Sequence, residues 1–146
     1  MLETTINEIM KSDKVAQKIY LGTFARDELP KSLKFPCAFI INTQKRNQPG
    51  EHWLALYYNK HGFCDFFDSY GFSPTQYKLE SYIQETSKGW SYNERRIQGY
   101  SHFCGYYCIL FILYKSRYRV REFFDQFSSN YNFNDNIIFK LIASFS

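Results

Sequence analysis

The 146-residue chain is 45% hydrophobic with a net charge of +4, which excludes a disordered, charge-rich segment and points to one folded domain over residues 1–146. Cys37, Cys64, Cys104 and Cys108 stand at irregular spacing with no CxxC pair, so neither a disulfide framework nor a metal site is expected. The opening Met-Leu-Glu-Thr-Thr lacks the basic and apolar parts of a signal peptide, and the longest apolar run, Phe103 to Tyr114, falls short of the ~20 residues of a membrane span. A soluble, intracellular chain with reduced thiols is the expectation.

Ile6, Ile9 and Met10 recur at helical spacing over residues 4–11, after Thr4 and Thr5 as caps, and Ser12-Asp13 breaks that helix and starts a second short turn through Gln17. Tyr20 to Phe24 reads as a short edge strand. Pro36 opens a strand over Cys37 to Asn42 that is apolar on both faces, hence central in a sheet. His52 to Tyr58 and Phe63 to Phe67 follow as strands joined by the hairpin connection Asn59-Lys60-His61-Gly62. Ser73 and Pro74 supply the cap and first position of a helix to about Glu85, with Tyr77, Leu79 and Ile83 on its apolar side. Trp90 to Ile97 reads as a fourth main strand. Cys104 to Lys115 reads as a buried helix, and Val120, Phe123, Phe124 and Phe127 mark an amphipathic one. A last helix spans Asp135 to Phe145. Strands gathered between helices make an α+β fold, with a central, mostly antiparallel sheet flanked by helices.

The chemistry gathers where a polar loop, Gln98 to Phe103, runs into the buried helix. A cysteine at a helix N-terminus meets unpaired N–H groups and the positive end of the dipole, both of which favour a thiolate. The same N–H groups can hold an oxyanion, and Gln98 offers a side-chain amide for that task. A core cysteine behind a surface loop is the plainer alternative. His52 starts one hairpin strand and Asp68 ends its neighbour, so an antiparallel pairing brings them together as base and orienting carboxylate. If the helix start packs on that strand end, Cys104 meets His52 as an activated nucleophile. His61, in a hairpin turn, and His102, two residues from Cys104, are the rival histidines. Asp65, mid-strand, is the rival carboxylate. Each group also has a structural reading: His52 as a strand-end histidine, Asp68 as a turn former.

Glu51-His52-Trp53, Phe67 to Ser73, and Gln98 six residues ahead of Cys104-Gly105 together resemble the adenovirus cysteine protease (adenain) family. Their order is also that of the wider clan containing the Ulp-type SUMO-deconjugating proteases. Tyr20 to Phe24 and Cys37 to Thr43 resemble further segments of the adenoviral branch, so the likeness covers about residues 20–112. It implies a papain-like/adenain-like fold. It also implies His52 as general base and acid, Asp68 as its orienter, Cys104 as nucleophile and Gln98 as oxyanion donor. By the same analogy, Trp53 and nearby aromatics form a narrow slot for small residues, often Gly, beside the cut bond. Asp at position 68 and the six-residue spacing of Gln98 follow the deconjugating branch, whereas the adenoviral enzymes usually carry Glu. Adenoviral enzymes are stimulated by a peptide disulfide-linked to a cysteine upstream of the nucleophile, and here none stands between Cys64 and Cys104. The mixture resembles a protease of an adenovirus-like relative, such as a Polinton/Maverick element or an adintovirus.

The implied partners are viral capsid or core precursor polypeptides, met in the host nucleus or cytoplasm or in the virion, with the protease a monomer. No cofactor is required by the sequence; activation by DNA or a peptide is implied by the family. Lys115, Arg117, Arg119 and Arg121 form the candidate nucleic-acid contact, with a solvated face as the alternative reading. A ubiquitin-like deconjugase and a catalytically idle DNA- or protein-binding domain of the same fold are the competing functions.

Overall fold

The computed structural model describes residues 3–146; Met1 and Leu2, which open the stretch read for a signal peptide, lie outside it. The elements run α1 (Glu3–Ser12), a 3₁₀ turn (Ala16–Lys18), β1 (Tyr20–Phe24), β2 (Cys37–Asn42), β3 (Trp53–Tyr58) and β4 (Phe63–Phe67). A second 3₁₀ turn (Pro74–Tyr77), α2 (Glu80–Thr86), β5 (Gly89–Tyr92), α3 (Cys104–Lys115), α4 (Val120–Asp125) and α5 (Tyr131–Ala143) complete the chain. Among the described residues no helix is long and apolar enough to cross a membrane.

The five strands form one sheet in the order β1-β2-β3-β4-β5. β2–β3 and β3–β4 pair antiparallel, but the two outer strands pair parallel to their neighbours. The sheet is therefore mixed, not mostly antiparallel as expected. The physical reason is connection length: β1 to β2 and β4 to β5 are joined through long segments, which carry the chain back to the same end of the sheet before the next strand begins.

Strand alternation divides the interior. Ala38 and Ile40 of β2, Ala55 and Tyr57 of β3 and Phe67 of β4 join the core shared with α1, α3, α4 and α5. Cys37, Phe39, Ile41, Leu54, Leu56, Tyr58, Cys64 and Phe66 face the other way, onto Ile83 of α2 and Leu79 just before it. β2 is buried along its whole length, as its two apolar faces required. α3 is apolar around its circumference and lies inside. Phe67 stacks on Phe111 at 4.7 Å, and Phe123 of α4 meets both rings edge-on. These contacts seat α3 beside the end of β4, which fixes where its first residue falls.

The expected helix from Ser73 to Glu85 is broken in two. Lys78 is left-handed (φ 58), and Arg26 donates to the Tyr77 and Lys78 carbonyls, at 2.8 and 3.4 Å, that a continuous helix would have used itself. The break turns Tyr77 towards Asp68. The strand expected to reach Ile97 ends at Tyr92, because the Asn93 carboxamide takes over the pairing. Its Nδ2 donates to the Asp68 carbonyl (2.7 Å), and its Oδ1 accepts from the Asp68 N–H (3.1 Å). α4 stops before Phe127. α5 begins four residues earlier than expected, capped by Asn130 accepting from the Phe133 N–H.

Candidate active site

The β3–β4 register places Ala55 opposite Phe67, so the residues just before β3 and just after β4 share one end of the sheet. His52 Nε2 meets Asp68 Oδ1 at 2.7 Å there, with the carboxylate wholly buried and the imidazole 11% exposed. Asp68 is saturated with donors. Oδ1 also accepts from the Tyr70 N–H (3.1 Å), and Oδ2 accepts from the Tyr77 hydroxyl (2.5 Å) and the Phe72 N–H (3.2 Å). The His52 ring stacks on Tyr70 at 4.9 Å and an interplanar angle of 21°. Its rotation is thereby restricted from the side as well as through Nε2.

The turn bearing Asp68 closes through the Gly71 N–H on the Asp68 carbonyl (2.8 Å). Gly71 has φ +80, and a Cβ there would stand 2.7 Å from the Arg95 carbonyl carbon. Glycine is required both for the conformation and for the close approach of the 95–96 backbone.

Cys104 is the first residue of α3 and is 6% exposed. The His52 side chain and the backbone N–H groups of Trp53 and Gly105 are the groups close enough to stabilise its thiolate. Since Nε2 is committed to Asp68, Nδ1 is the ring nitrogen left for sulfur. Burial alone would raise the Cys104 pKa. The His52 hydrogen bond, the imidazolium charge and the two backbone donors reverse this and hold it below its ordinary value. Burial likewise opposes charge on His52. The bonds to Asp68 and Cys104, reinforced by their charges, overcome it and push the imidazole up to about 9. The two shifts run in the same sense, towards a thiolate beside an imidazolium. Such a pair has the chemistry of a nucleophile beside a proton donor.

Gln98 is fully buried ahead of the helix. Its Oε1 accepts from the Ser69 hydroxyl (2.5 Å), and its Nε2 donates to the Ser101 carbonyl (2.9 Å), with Ser101 Oγ further off at 3.5 Å. A carboxamide has two N–H donors, and the second is held only by the long contact to Ser101 Oγ, at the wall of the cavity that Gln98 shares with Cys104. That cavity, about 270 Å³, is also lined by His52, Trp53, Tyr70, Ser101 and His102. The structure therefore brings His52, Gln98 and Cys104, with Trp53, around one opening, and Asp68 lies buried behind His52. It also places His102 on the rim, though the imidazole that shifts the Cys104 thiol is that of His52. A larger cleft of about 700 Å³ continues beyond His52, between Thr43–Lys45 and Gln76–Lys78.

The rivals are occupied elsewhere. Asp65 pairs with Lys115 (2.5 Å) and accepts from Ser91. His61 lies in the exposed hairpin turn beside a separate cavity. Cys37, Cys64 and Cys108 are buried thiols; burial pushes Cys37 up to about 11 and Cys108 well above its ordinary value. Among the described residues no cluster of side chains is suited to a metal. In the basic stretch, Lys115 is bound to Asp65, Arg117 to Asp13 at 2.7 Å and Arg119 to Glu122 at 2.6 Å, while Arg121 is exposed. Three of its four charges thus already have carboxylate partners.

Several contributors escaped sequence reasoning. Tyr77 read as an apolar helix position, and Ser69 as part of a turn. Asn134 and Asp135 brace the Gln98 loop from α5. Asn134 donates to the Ile97 carbonyl (2.9 Å), and Asp135 accepts from the Gly99 N–H (3.1 Å) and the Tyr107 hydroxyl (2.7 Å). Arg96 lies over the rings of Tyr70, Tyr100 and Tyr131 and donates to the Gln98 carbonyl (2.7 Å). The local signal was the Gly-flanked Gln98 loop, but its partners lie far away in sequence.

The sequence model of the adenovirus endoprotease family matches residues 20–137 of the chain. The chain belongs to the adenovirus endoprotease family. It is also similar to the protein named "Protease" of human adenovirus B serotype 3, with 41% identity over 63 residues; the match spans 40% of this chain and 29% of that relative. The family match covers β1 to most of α5, and so every residue of the candidate site.

Proposed function

We propose that the chain is a viral cysteine endopeptidase with Cys104 as nucleophile, His52 as general acid and base, Asp68 as the orienter of His52, and Gln98 as an oxyanion donor. The observation that carries this reading is His52 held between Asp68 and Cys104 at the start of a buried helix, in a chain of an endoprotease family. The Cys104 thiolate attacks the scissile carbonyl. The oxyanion is taken by the remaining Nε2 donor of Gln98 and by the Cys104 N–H, which as a first-turn group has no intrahelical partner. The imidazolium gives its proton to the leaving amine, the C–N bond breaks and a thioester forms. Neutral His52 then takes a proton from water as water attacks the thioester, and Cys104 leaves as thiolate. Asp68, saturated by backbone and tyrosine donors, keeps Nδ1 aimed at sulfur throughout.

The substrates on this reading are capsid or core precursor polypeptides, cut beside small residues such as Gly, within the infected cell or the virion. The confined cavity between Trp53 and Tyr70 supports a small residue at the cut. The test is labelling by a peptide vinyl sulfone ending in Gly, with the modified cysteine located by peptide mapping. Cys104 is expected to be labelled selectively, and far more slowly in His52→Ala. Equal labelling of Cys104 and the three other cysteines, or no dependence on His52, would overturn the assignment.

A further inference from the structure

The oxyanion donor needs its own orientation fixed, because a carboxamide turned by half a rotation presents oxygen where nitrogen is required. Two neighbours bear on Gln98. The Ser101 carbonyl can only accept, so Nε2 must face it; a reversed amide would set two acceptors against each other. On the other side, the Ser69 hydroxyl donates to Oε1 at 2.5 Å, and both residues are wholly buried, so this oxygen has no access to bulk water. Ser69 grips the main chain as well: its carbonyl accepts from the Ile97 N–H (2.9 Å) and the Gln98 N–H (3.1 Å). The residue before it is Asp68. One dipeptide thus reaches the base with its first side chain and the oxyanion donor with its second.

We propose that Ser69 is the positioning residue of the oxyanion donor, its buried hydroxyl holding the Gln98 carboxamide with an N–H towards the carbonyl under attack. The inference rests on the cysteine-endopeptidase reading and goes beyond it, since Ser69 touches neither sulfur nor substrate. Without the hydroxyl, Oε1 is left unpaired in a dry site and the carboxamide shifts to find a donor. The thiolate and imidazolium, held through Asp68, are unaffected.

The test compares two reactions of Cys104 in the same protein. p-Nitrophenyl acetate acylates the thiolate through a tetrahedral oxyanion: the S–C bond forms, the C–O bond breaks and p-nitrophenolate leaves. Iodoacetamide alkylates it by displacing iodide, with no oxyanion. The ratio of the two rates, each mapped to Cys104, is taken on protein whose folded fraction is matched to wild type by circular dichroism. Gln98→Ala is expected to lower this ratio by about 10²–10³-fold. Ser69→Ala is expected to lower it by about 10-fold, the loss of one buried hydrogen bond to the donor. A ratio in Ser69→Ala equal to wild type, with Gln98→Ala still lowered, would overturn the role of Ser69 and leave the protease reading standing. A wild-type ratio in Gln98→Ala would remove the oxyanion role from Gln98, and the proposal with it.

Discussion

His52 and Asp68 stand at adjacent ends of two paired strands, whereas Gln98 and Cys104 stand on a loop and a helix start that are not part of the sheet. The first half of the site inherits its geometry from the β3–β4 register, and its remaining bonds come from residues close in sequence, Tyr70, Phe72 and Tyr77. The second half is assembled from afar: Ser69 lies 29 positions before Gln98, and Asn134 and Asp135 of α5 lie 37 and 36 positions beyond the Ile97 carbonyl and the Gly99 N–H they hold. A strand-borne pair survives small losses elsewhere, because the ladder continues to impose it. A loop-borne donor depends on every polar brace, each buried and each costly to leave unmade. The acid–base half should therefore be robust to distant substitutions and the oxyanion half sensitive to them.

The largest effect expected is from His52→Ala, which removes the acid–base group and should lower kcat/KM for peptide hydrolysis by about 10²–10⁴-fold. It also has a pH signature. With His52 present, alkylation of Cys104 should persist below the ordinary thiol range, because the imidazolium stabilises the thiolate. Without it, burial acts with less opposition, and the onset of alkylation should move to higher pH. An unmoved onset would separate Cys104 from the histidine. In wild type, hydrolysis should decline as pH rises through about 9, where His52 loses the proton it gives to the leaving amine.

Asp135→Ala tests the other half. It strands the Gly99 N–H and the Tyr107 hydroxyl, at about 1–3 kcal/mol for each buried group, measurable as a drop in denaturation midpoint. Acylation by p-nitrophenyl acetate should fall more than alkylation by iodoacetamide; equal losses would mean that the two halves are not independent. Gly71→Ala strikes between them. A left-handed alanine with its Cβ against the Arg95 carbonyl carbon should cost about 1–3 kcal/mol of stability and disturb both reactions together. Tyr77→Phe should be mildest. Asp68 keeps its three other donors, and a carboxylate with fewer donors holds the imidazolium more strongly. The alkaline decline should thus move upward from about 9, by less than about one pH unit; a downward move would contradict the assigned role of Tyr77.

The same division decides what was legible in the sequence. β2, β4 and α3 followed from apolar runs and their punctuation, and α3 begins and ends where the pattern places it, at Cys104 and Lys115. The meeting of His52 and Asp68 followed from hairpin geometry. The break at Lys78 did not, because it is set by Arg26, some fifty positions upstream, binding the carbonyls that free it. Neither did the early end of β5, where an asparagine side chain substitutes for a strand partner. The parallel outer strands were missed because periodicity gives a strand but not its direction. Ser69, Asn134 and Asp135 carry no local signature: a serine in a turn and two polar residues near a helix start look the same whether they face water or a buried loop.

The turn of α3 beneath the nucleophile has a bearing on oxidation. A thiolate is the form that peroxide attacks, giving a sulfenic acid that a neighbouring thiol can rescue as a disulfide. Cys108 lies one helical turn below Cys104, but positions i and i+4 hold their Cβ atoms roughly 5–6 Å apart, while a disulfide needs about 3.5–4.5 Å. Cys37 and Cys64 belong to the core on the opposite face of the sheet. While α3 stays wound, an oxidised Cys104 has no protein partner to return it, and its recovery depends on small-molecule thiols from the surroundings. On the proposed assignment of Cys104, activity is tied to the reducing power of the surroundings.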